Sequence, residues 1–333
     1  MVDTLEHGAG GNRLDWDALP TALRAEIEAR LGDRVVRADT QAGGFSPAVA
    51  ARLTLAGGDR VFVKAGSGAH NADTARMYRQ EARVVAALPA SVPAPRFRWT
   101  FESGDWVVLA FDDAGARPAD VPPDLPWSAR PPALPWVPAE RDRVLAALAD
   151  LARSLTPAPP GVPVPAIGDD TASGLTGFRD LARDGDGRLA TAYPWVAGRL
   201  AELAEWEARW PAAARGDTLL HGDLRADNML VTPERVLFVD WPAAVRGAAW
   251  FDLLAFLPSL AMQGGGDPEA VVRDHPLTRD ADPDGLTACV TAIAGYFVAM
   301  SLRPAPPALP RIREFQRAQA LPALDWLRRR LDR

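Results

Sequence analysis

Apolar residues recur four apart at Leu19, Leu23, Ile27 and Leu31, and this spacing predicts a helix over 15–31. Shorter apolar runs follow, predicting strands at 33–39, 48–55 and 60–63, with Gly57-Gly58-Asp59 as the turn between the last two. A second helix is predicted over 73–88, stopped by Pro89. Two more strands, 97–102 and 106–111, flank the turn Ser103-Gly104-Asp105. Pro, Ala and Gly then dominate 112–138, which reads as a connector with an irregular insertion. The remainder reads as helical, at 139–155, 175–183, 195–210, 250–262, 286–303 and 312–331; only 218–240 is strand-like there. No repeat of fixed period is present. The pattern predicts an α+β chain, with a small N-terminal lobe (1–113) built on an antiparallel sheet and a larger, mostly helical C-terminal lobe (114–333).

Composition narrows the function. The 333 residues are 48% apolar, enough for a sizeable core, and 37 basic residues against 43 acidic ones leave a net charge of −6. Such a surface does not favour nucleic acid, whose phosphates call for a basic face. There is one cysteine, Cys289, so no internal disulfide can form and a reducing compartment is the simpler expectation. The N-terminal residues lack the basic and apolar run of a secretory leader. The apolar stretch 248–262 is broken by Asp252 and Pro258 and is too short to span a bilayer. A soluble, cytoplasmic protein with no membrane partner is expected.

Of the 37 basic residues a single one, Lys64, is lysine. A compact ammonium and a planar guanidinium fork are not interchangeable. A lone lysine in an arginine-rich chain either marks a position where arginine would not serve or survives by chance on a surface under a codon bias toward arginine.

Chemistry concentrates in TLLHGDLRADNMLVTPERVLFVDW (218–241), where polar residues sit between two apolar strands. Asp223 and Asn228 are five apart, and Asp240 lies twelve beyond Asn228. A carboxylate on a tight loop can accept the proton of a nucleophilic hydroxyl. An amide oxygen and a second carboxylate, delivered by neighbouring turns, can hold Mg²⁺ on phosphates.

This is the kinase arrangement H-x-D-x-x-x-x-N followed by Asp. In its HGDLRADN form it resembles the aminoglycoside phosphotransferase-like family, also called the phosphotransferase enzyme family, over roughly 35–333. The resemblance implies a bilobal protein-kinase-like fold and transfer of a phosphoryl group from ATP, with GTP as an alternative, to a hydroxyl of a small molecule. It implies Asp223 as catalytic base, with Asn228 and Asp240 as Mg²⁺ ligands. Arg225 is a candidate for stabilising the transferring phosphoryl group. His221 is expected to orient the loop, and Asp252 to brace it. Trp241-Pro242 stands where protein kinases have Phe-Gly. The short interval from Asp240 to Asp252 leaves no room for a long activation loop.

By the same resemblance Lys64 contacts the α- and β-phosphates, and its partner is Glu81, the one Glu in the helix that follows. The phosphate-covering loop is expected at 41–47, with Gly43, Gly44 and Ser46 as contacts. The adenine edge is expected near Leu109 and Phe111, mostly through backbone. The acceptor stays open among aminoglycosides, other antibiotics, amino alcohols and sugars. The acidic stretch 264–285 would suit a polyamine antibiotic or be a solvated linker, and His275 within it could orient a substrate or be an ordinary loop histidine. A catalytically silent nucleotide-binding module and, less favoured, a protein kinase are the alternatives.

Overall fold

The computed structural model describes residues 13–41, 47–116, 127–169, 174–306 and 309–332. The predicted first helix is broken. Trp16–Ala18 forms a 3-10 turn, Leu19 is extended, and α1 (Thr21–Leu31) starts only after Pro20, which has no N–H to give to a preceding turn. Leu19, Leu23 and Ile27 nevertheless pack into one core. Their partners come from β1 (Val35–Thr40), β2 (Val49–Leu55), β3 (Arg60–Ser67), β4 (Phe97–Ser103) and β5 (Trp106–Asp112), with α2 (Ala72–Ala87) between β3 and β4 in the chain. The strands form one antiparallel sheet in the order β1-β2-β3-β5-β4.

Strand alternation sorts the two faces of this sheet. Val61, Val63 and Ala65 of β3, with Val108 and Ala110 of β5, join the core with α1. The intervening Phe62, Lys64 and Gly66 therefore face the other way, opposite Phe111, Leu109 and Val107. Helix α2 packs on that second face. A Cβ on Gly66 would stand 2.9 Å from Thr74 and 3.1 Å from Tyr78, so the missing side chain lets the helix come close. The Asn71 side chain caps the helix by accepting from the Thr74 N–H at 2.8 Å. Strand β3 runs four residues beyond its expected end at 63, so Lys64 sits inside it.

The chain continues through α3 (Pro138–Ser154), α4 (Gly177–Asp184), α5 (Leu189–Ala192), α6 (Pro194–Gly198), α7 (Leu200–Glu207) and α8 (Trp210–Ala213). The single helix predicted at 195–210 is thus divided, ending a first time at Gly198 and again ahead of Pro211, both helix breakers. Four short strands follow: β6 (Thr218–Leu220), β7 (Met229–Val231), β8 (Val236–Phe238) and β9 (Val245–Gly247). They pair as β6 with β9 and β7 with β8. Helices α9 (Phe251–Met262), α10 (Pro268–Asp274), α11 (Pro283–Leu302) and α12 (Ile312–Leu331) complete the order.

The acidic stretch is not a plain linker. Asp267 caps α10 and Asp282 caps α11. Buried Glu269 accepts from Trp326 Nε1 at 2.7 Å and pairs with Arg330 at 2.7 Å. Single-sequence periodicity missed α10 because it is only two turns long and acidic at its start. Helix α11 is long and apolar enough to cross a membrane by length and composition, yet 78% of its most apolar window is buried within the protein. It packs on α12, α4 and α7, and a Cβ at Gly177 would collide with the Gly295 carbonyl where α4 meets α11.

The described residues fall into two compact units. One gathers residues up to 132 together with 227–243; the other holds 133–226 and those from 244 on. The first unit thus runs past the 113/114 division expected from the pattern and takes in the β7–β8 hairpin. Within it Phe238 N–H donates to the Pro93 carbonyl, and Arg130 pairs with Val231.

Candidate active site

Lys64 reaches the Glu81 carboxylate at 2.7 and 2.8 Å and Asp240 Oδ1 at 2.8 Å. Helical spacing places Thr74, Tyr78, Glu81 and Val85 along one buried stripe of α2, which carries Glu81 onto the Lys64 face of the sheet. Glu81 is 1% exposed. Burial alone would lower the Lys64 pKa; the Asp240 and Glu81 carboxylates outweigh it and hold the ammonium above its ordinary value. The rings of Tyr78 and Phe111 add cation–π contacts at 5.7 and 5.9 Å. Leu109, fully buried, pairs directly with Lys64 across the ladder. Leu109 and Phe111 therefore lie on the face that carries the lysine. Gly43, Gly44 and Ser46 lie outside the described residues.

The hairpin explains the twelve-residue spacing. Met229 pairs with Phe238, and the next step of the ladder is Val239 N–H to the Asn228 carbonyl at 3.0 Å. This brings Asn228 and Asp240 to the same end of two short strands. Asn228 is 4% exposed, whereas the Asp240 side chain is 36% exposed. Asp240 has φ 70°, the one positive φ at a non-glycine among the described residues. Such a backbone costs roughly 1–2 kcal/mol and persists only where its surroundings enforce it. They do so here. The ladder holds Val239 on one side, and on the other the fully buried Trp241 donates Nε1–H to Phe238 O at 3.1 Å. The Trp241 backbone N–H also donates to Glu81.

Asp223 and Arg225 belong to the helical unit. The loop that carries them is held by its backbone. Asp252, at the start of α9, accepts from His221 N–H at 2.7 Å and Gly222 N–H at 3.0 Å. Burial raises the Asp252 pKa, against His221 and these two N–H donors. Asp223 N–H donates to His221 Nδ1 at 3.3 Å, and Gly222 turns at φ 80°. His221 is fully buried, so its ring acts from behind the loop. The Asp223 side chain is 43% exposed, with Arg225 Nη1 at 3.5 Å.

Neighbours of Asp223 that sequence patterning did not find come from the last two helices. The Arg225 guanidinium lies 5.8 Å from the Phe315 ring. Burial raises the Tyr296 pKa, with the Asp223 charge adding to it and Arg225 and Arg313 opposing. Tyr296 also hydrogen-bonds Gln316, which accepts from Arg313 at 2.7 Å. No local motif marks these positions, which read as ordinary amphipathic helix. His275 is not near them. It is buried, with Nε2 on the Leu145 carbonyl at 2.9 Å and Nδ1 accepting from Leu277 N–H at 3.2 Å.

A family model described as "Phosphotransferase enzyme family" matches residues 40–289. No curated protein matches the chain by sequence. Among solved structures, a thermostable mutant of aminoglycoside phosphotransferase APH(4)-Ia, in ternary complex with AMP-PNP and hygromycin B, is similar at TM-score 0.58 and 15% identity. It covers 93% of this chain and 98% of that one. The choline kinase LicA from Streptococcus pneumoniae is similar at TM-score 0.58 and 12% identity, covering 92% and 98%. The macrolide 2'-phosphotransferase MphH from Brachybacterium faecium, as apoenzyme, is similar at TM-score 0.52 and 17% identity, covering 92% and 98%. At these identities the likeness is one of fold, and the α+β, protein-kinase-like architecture is established by it.

Proposed function

Because the chain belongs to the phosphotransferase enzyme family and is a small-molecule kinase in class, we propose that it moves the γ-phosphoryl group of ATP to a hydroxyl of a small molecule. The observation that carries this reading is the buried Lys64, held by Glu81 and Asp240 within 2.8 Å. A phosphate-binding ammonium must be charged and aimed before the nucleotide arrives, and two carboxylates do both. Lys64 then contacts the nucleotide phosphates while Glu81 keeps it in place. Leu109 and Phe111 belong to the strand whose end meets the base.

Asn228 and Asp240 offer oxygen donors only, the type Mg²⁺ takes, and Asp240 keeps more than a third of its side chain exposed. They would hold the ion; when bound, it neutralises charge on the phosphate oxygens. Asp223 accepts the proton of the acceptor hydroxyl as its oxygen attacks phosphorus. Asp252 keeps the Asp223 loop rigid, so that a half-exposed carboxylate still has a defined position. Arg225 stands where it can offset charge on the transferring group. The chemistry needs ATP, and the cytoplasm is where this reading puts the protein.

The test is acceptor-dependent ADP release with Mg²⁺ and ATP, screened over aminoglycosides, other antibiotics, amino alcohols, sugars and hydroxy acids, with Asp223→Asn as the blank. Turnover by the wild type alone is the expected result. Binding of AMP-PNP with no acceptor turned over would make the chain a silent nucleotide-binding module instead.

A further inference from the structure

Partly buried arginines in the helical unit each hold a carboxylate: Arg141 with Asp142, Arg179 with Glu207, Arg199 with Glu202, Arg225 with Asp223 and Arg330 with Glu269. Arg313, on the first turn of α12, departs from this. Among the described residues no carboxylate lies within ion-pair distance of it. Its donors go to neutral groups, Gln316 Oε1 at 2.7 Å and the Pro304 carbonyl at 3.2 Å, with Met300 Sδ at 3.7 Å. Burial, with nearby Arg303, lowers its pKa, as expected for a guanidinium lacking a counter-ion. An uncompensated, partly desolvated charge is costly, and the cost is recovered if a ligand brings the anion.

Its place says which ligand. Gln316 joins Arg313 to Tyr296, which senses the Asp223 charge. Phe315, on the same turn, lies against Arg225, which contacts Asp223. Guanidinium and aromatic groups thus stand among the neighbours of Asp223 in this unit. The acids of 264–285 that would suit a polycation are in part spoken for, Asp267 and Asp282 as helix caps and Glu269 with Arg330 and Trp326.

We infer that the acceptor is a hydroxylated small molecule bearing an anionic group, carboxylate or phosphate, and that Arg313 pairs with this anion while Asp223 faces the hydroxyl. The inference rests on the phosphotransferase reading above. In the step, the acceptor oxygen forms a bond to the γ-phosphorus of ATP. The bond from that phosphorus to the β,γ-bridging oxygen breaks, its electron pair leaves with ADP, and the hydroxyl proton passes to Asp223. Arg313 positions the acceptor and takes no part in the bond changes.

The experiment is ADP release by the full chain with Mg²⁺ and ATP over four panels at equal concentration: aminoglycosides, neutral sugars and polyols, hydroxy acids, and sugar phosphates. Turnover is expected in one of the two anionic panels, and which one separates carboxylate from phosphate. Arg313→Ala should raise the acceptor KM by about tenfold or more while the ATP KM stays within about twofold, and Arg313→Lys should restore part of the loss. Preferred turnover of aminoglycosides or neutral sugars, unchanged in Arg313→Ala, would overturn the inference. So would a matching rise in the ATP KM, which would make Arg313 a nucleotide contact. Wild-type protein that binds AMP-PNP with Mg²⁺ but turns over no anionic acceptor overturns it too. Wild-type protein that binds no nucleotide overturns the phosphotransferase reading and this inference with it.

Discussion

The surroundings of Lys64 and those of Asp223 solve opposite problems. Lys64 is a buried charge whose side chain is fixed by other side chains, two carboxylates at 2.7–2.8 Å and two aromatic rings. Asp223 is a half-exposed charge beside Arg225, and its loop is fixed through the backbone, by Asp252 on the two preceding N–H groups. A group that must be ionised in every state gains from permanent partners. On the proposed reading Asp223 receives a proton from the acceptor, which calls for an accessible carboxylate on a rigid mount. Rigidity thus comes through two routes: side-chain ion pairing around Lys64 in the sheet unit, and backbone anchoring of the Asp223 loop in the helical one.

The contrast can be broken from either side. The largest effect is expected for Asp223→Asn, which should lower kcat by about 10²–10⁴-fold, the range of a lost general base. AMP-PNP binding, read by thermal shift, should be unchanged, since the mount is untouched. Lys64→Arg comes next. The longer, planar fork cannot meet Glu81, Asp240 and the phosphates from one nitrogen, and misplacement by about 1 Å can cost roughly 10²-fold. Activity within about threefold of wild type in steady-state assays would dismiss the lone lysine as incidental.

Asp252→Asn sharpens the comparison at the other mount. An amide offers one acceptor oxygen where His221 and Gly222 donate to two. A destabilisation of about 1–3 kcal/mol is expected by urea unfolding. A fall of about tenfold in kcat should accompany it with little change in the ATP KM, since the anchored loop carries Asp223.

The smallest functional effect is expected at Glu207, which anchors the start of α4 by accepting from Phe178 N–H at 2.9 Å and Arg179 N–H at 2.8 Å. Burial raises its pKa from 4.5 to about 7, against these donors and Arg179. The folded state therefore holds a proton that the unfolded chain releases between these values. The stability from that proton is fully present below about pH 4.5 and is lost as pH rises through about 7. Urea midpoints at about pH 5 and pH 7.5 should show wild type losing ground to Glu207→Gln over this window, with kcat alike in both. A flat difference across the window would show that the carboxylate is ionised throughout.

Much of the candidate site's geometry was legible because its parts are local. HGDLRADN and the twelve-residue step to Asp240 are spacings within one loop and one hairpin, and the β7–β8 ladder turns that step into proximity. Glu81 was legible because it was the only Glu on the helix after the lone lysine. The expected strands match the observed sheet in number and order along the chain, but β3 extends beyond its apolar run because Ala65, Gly66 and Ser67 still pair with β5. The helix at 195–210 was misread, and the helix within 264–285 was missed, for the converse reason. Gly198 and Pro211 interrupt an otherwise helical pattern, and α10 is held by a buried Glu269 whose partners lie some sixty residues away on α12.

The sequence by itself thus determined most element types, the sheet and helical halves, and the identities of the chemical groups, since propensity and spacing act over a few residues. Tertiary structure alone decided that Lys64 holds Asp240 as well as Glu81 and that Asp240 adopts φ 70°. It alone decided which backbone groups Asp252 holds on the Asp223 loop, and that, among the described residues, no carboxylate pairs with Arg313 beside Gln316. These are matters of burial and of partners far apart in the chain, such as His221 and Asp252, 31 residues apart, and Lys64 and Asp240, 176 apart. Whether a charge finds its counter-ion depends on how distant elements pack, which no local pattern encodes.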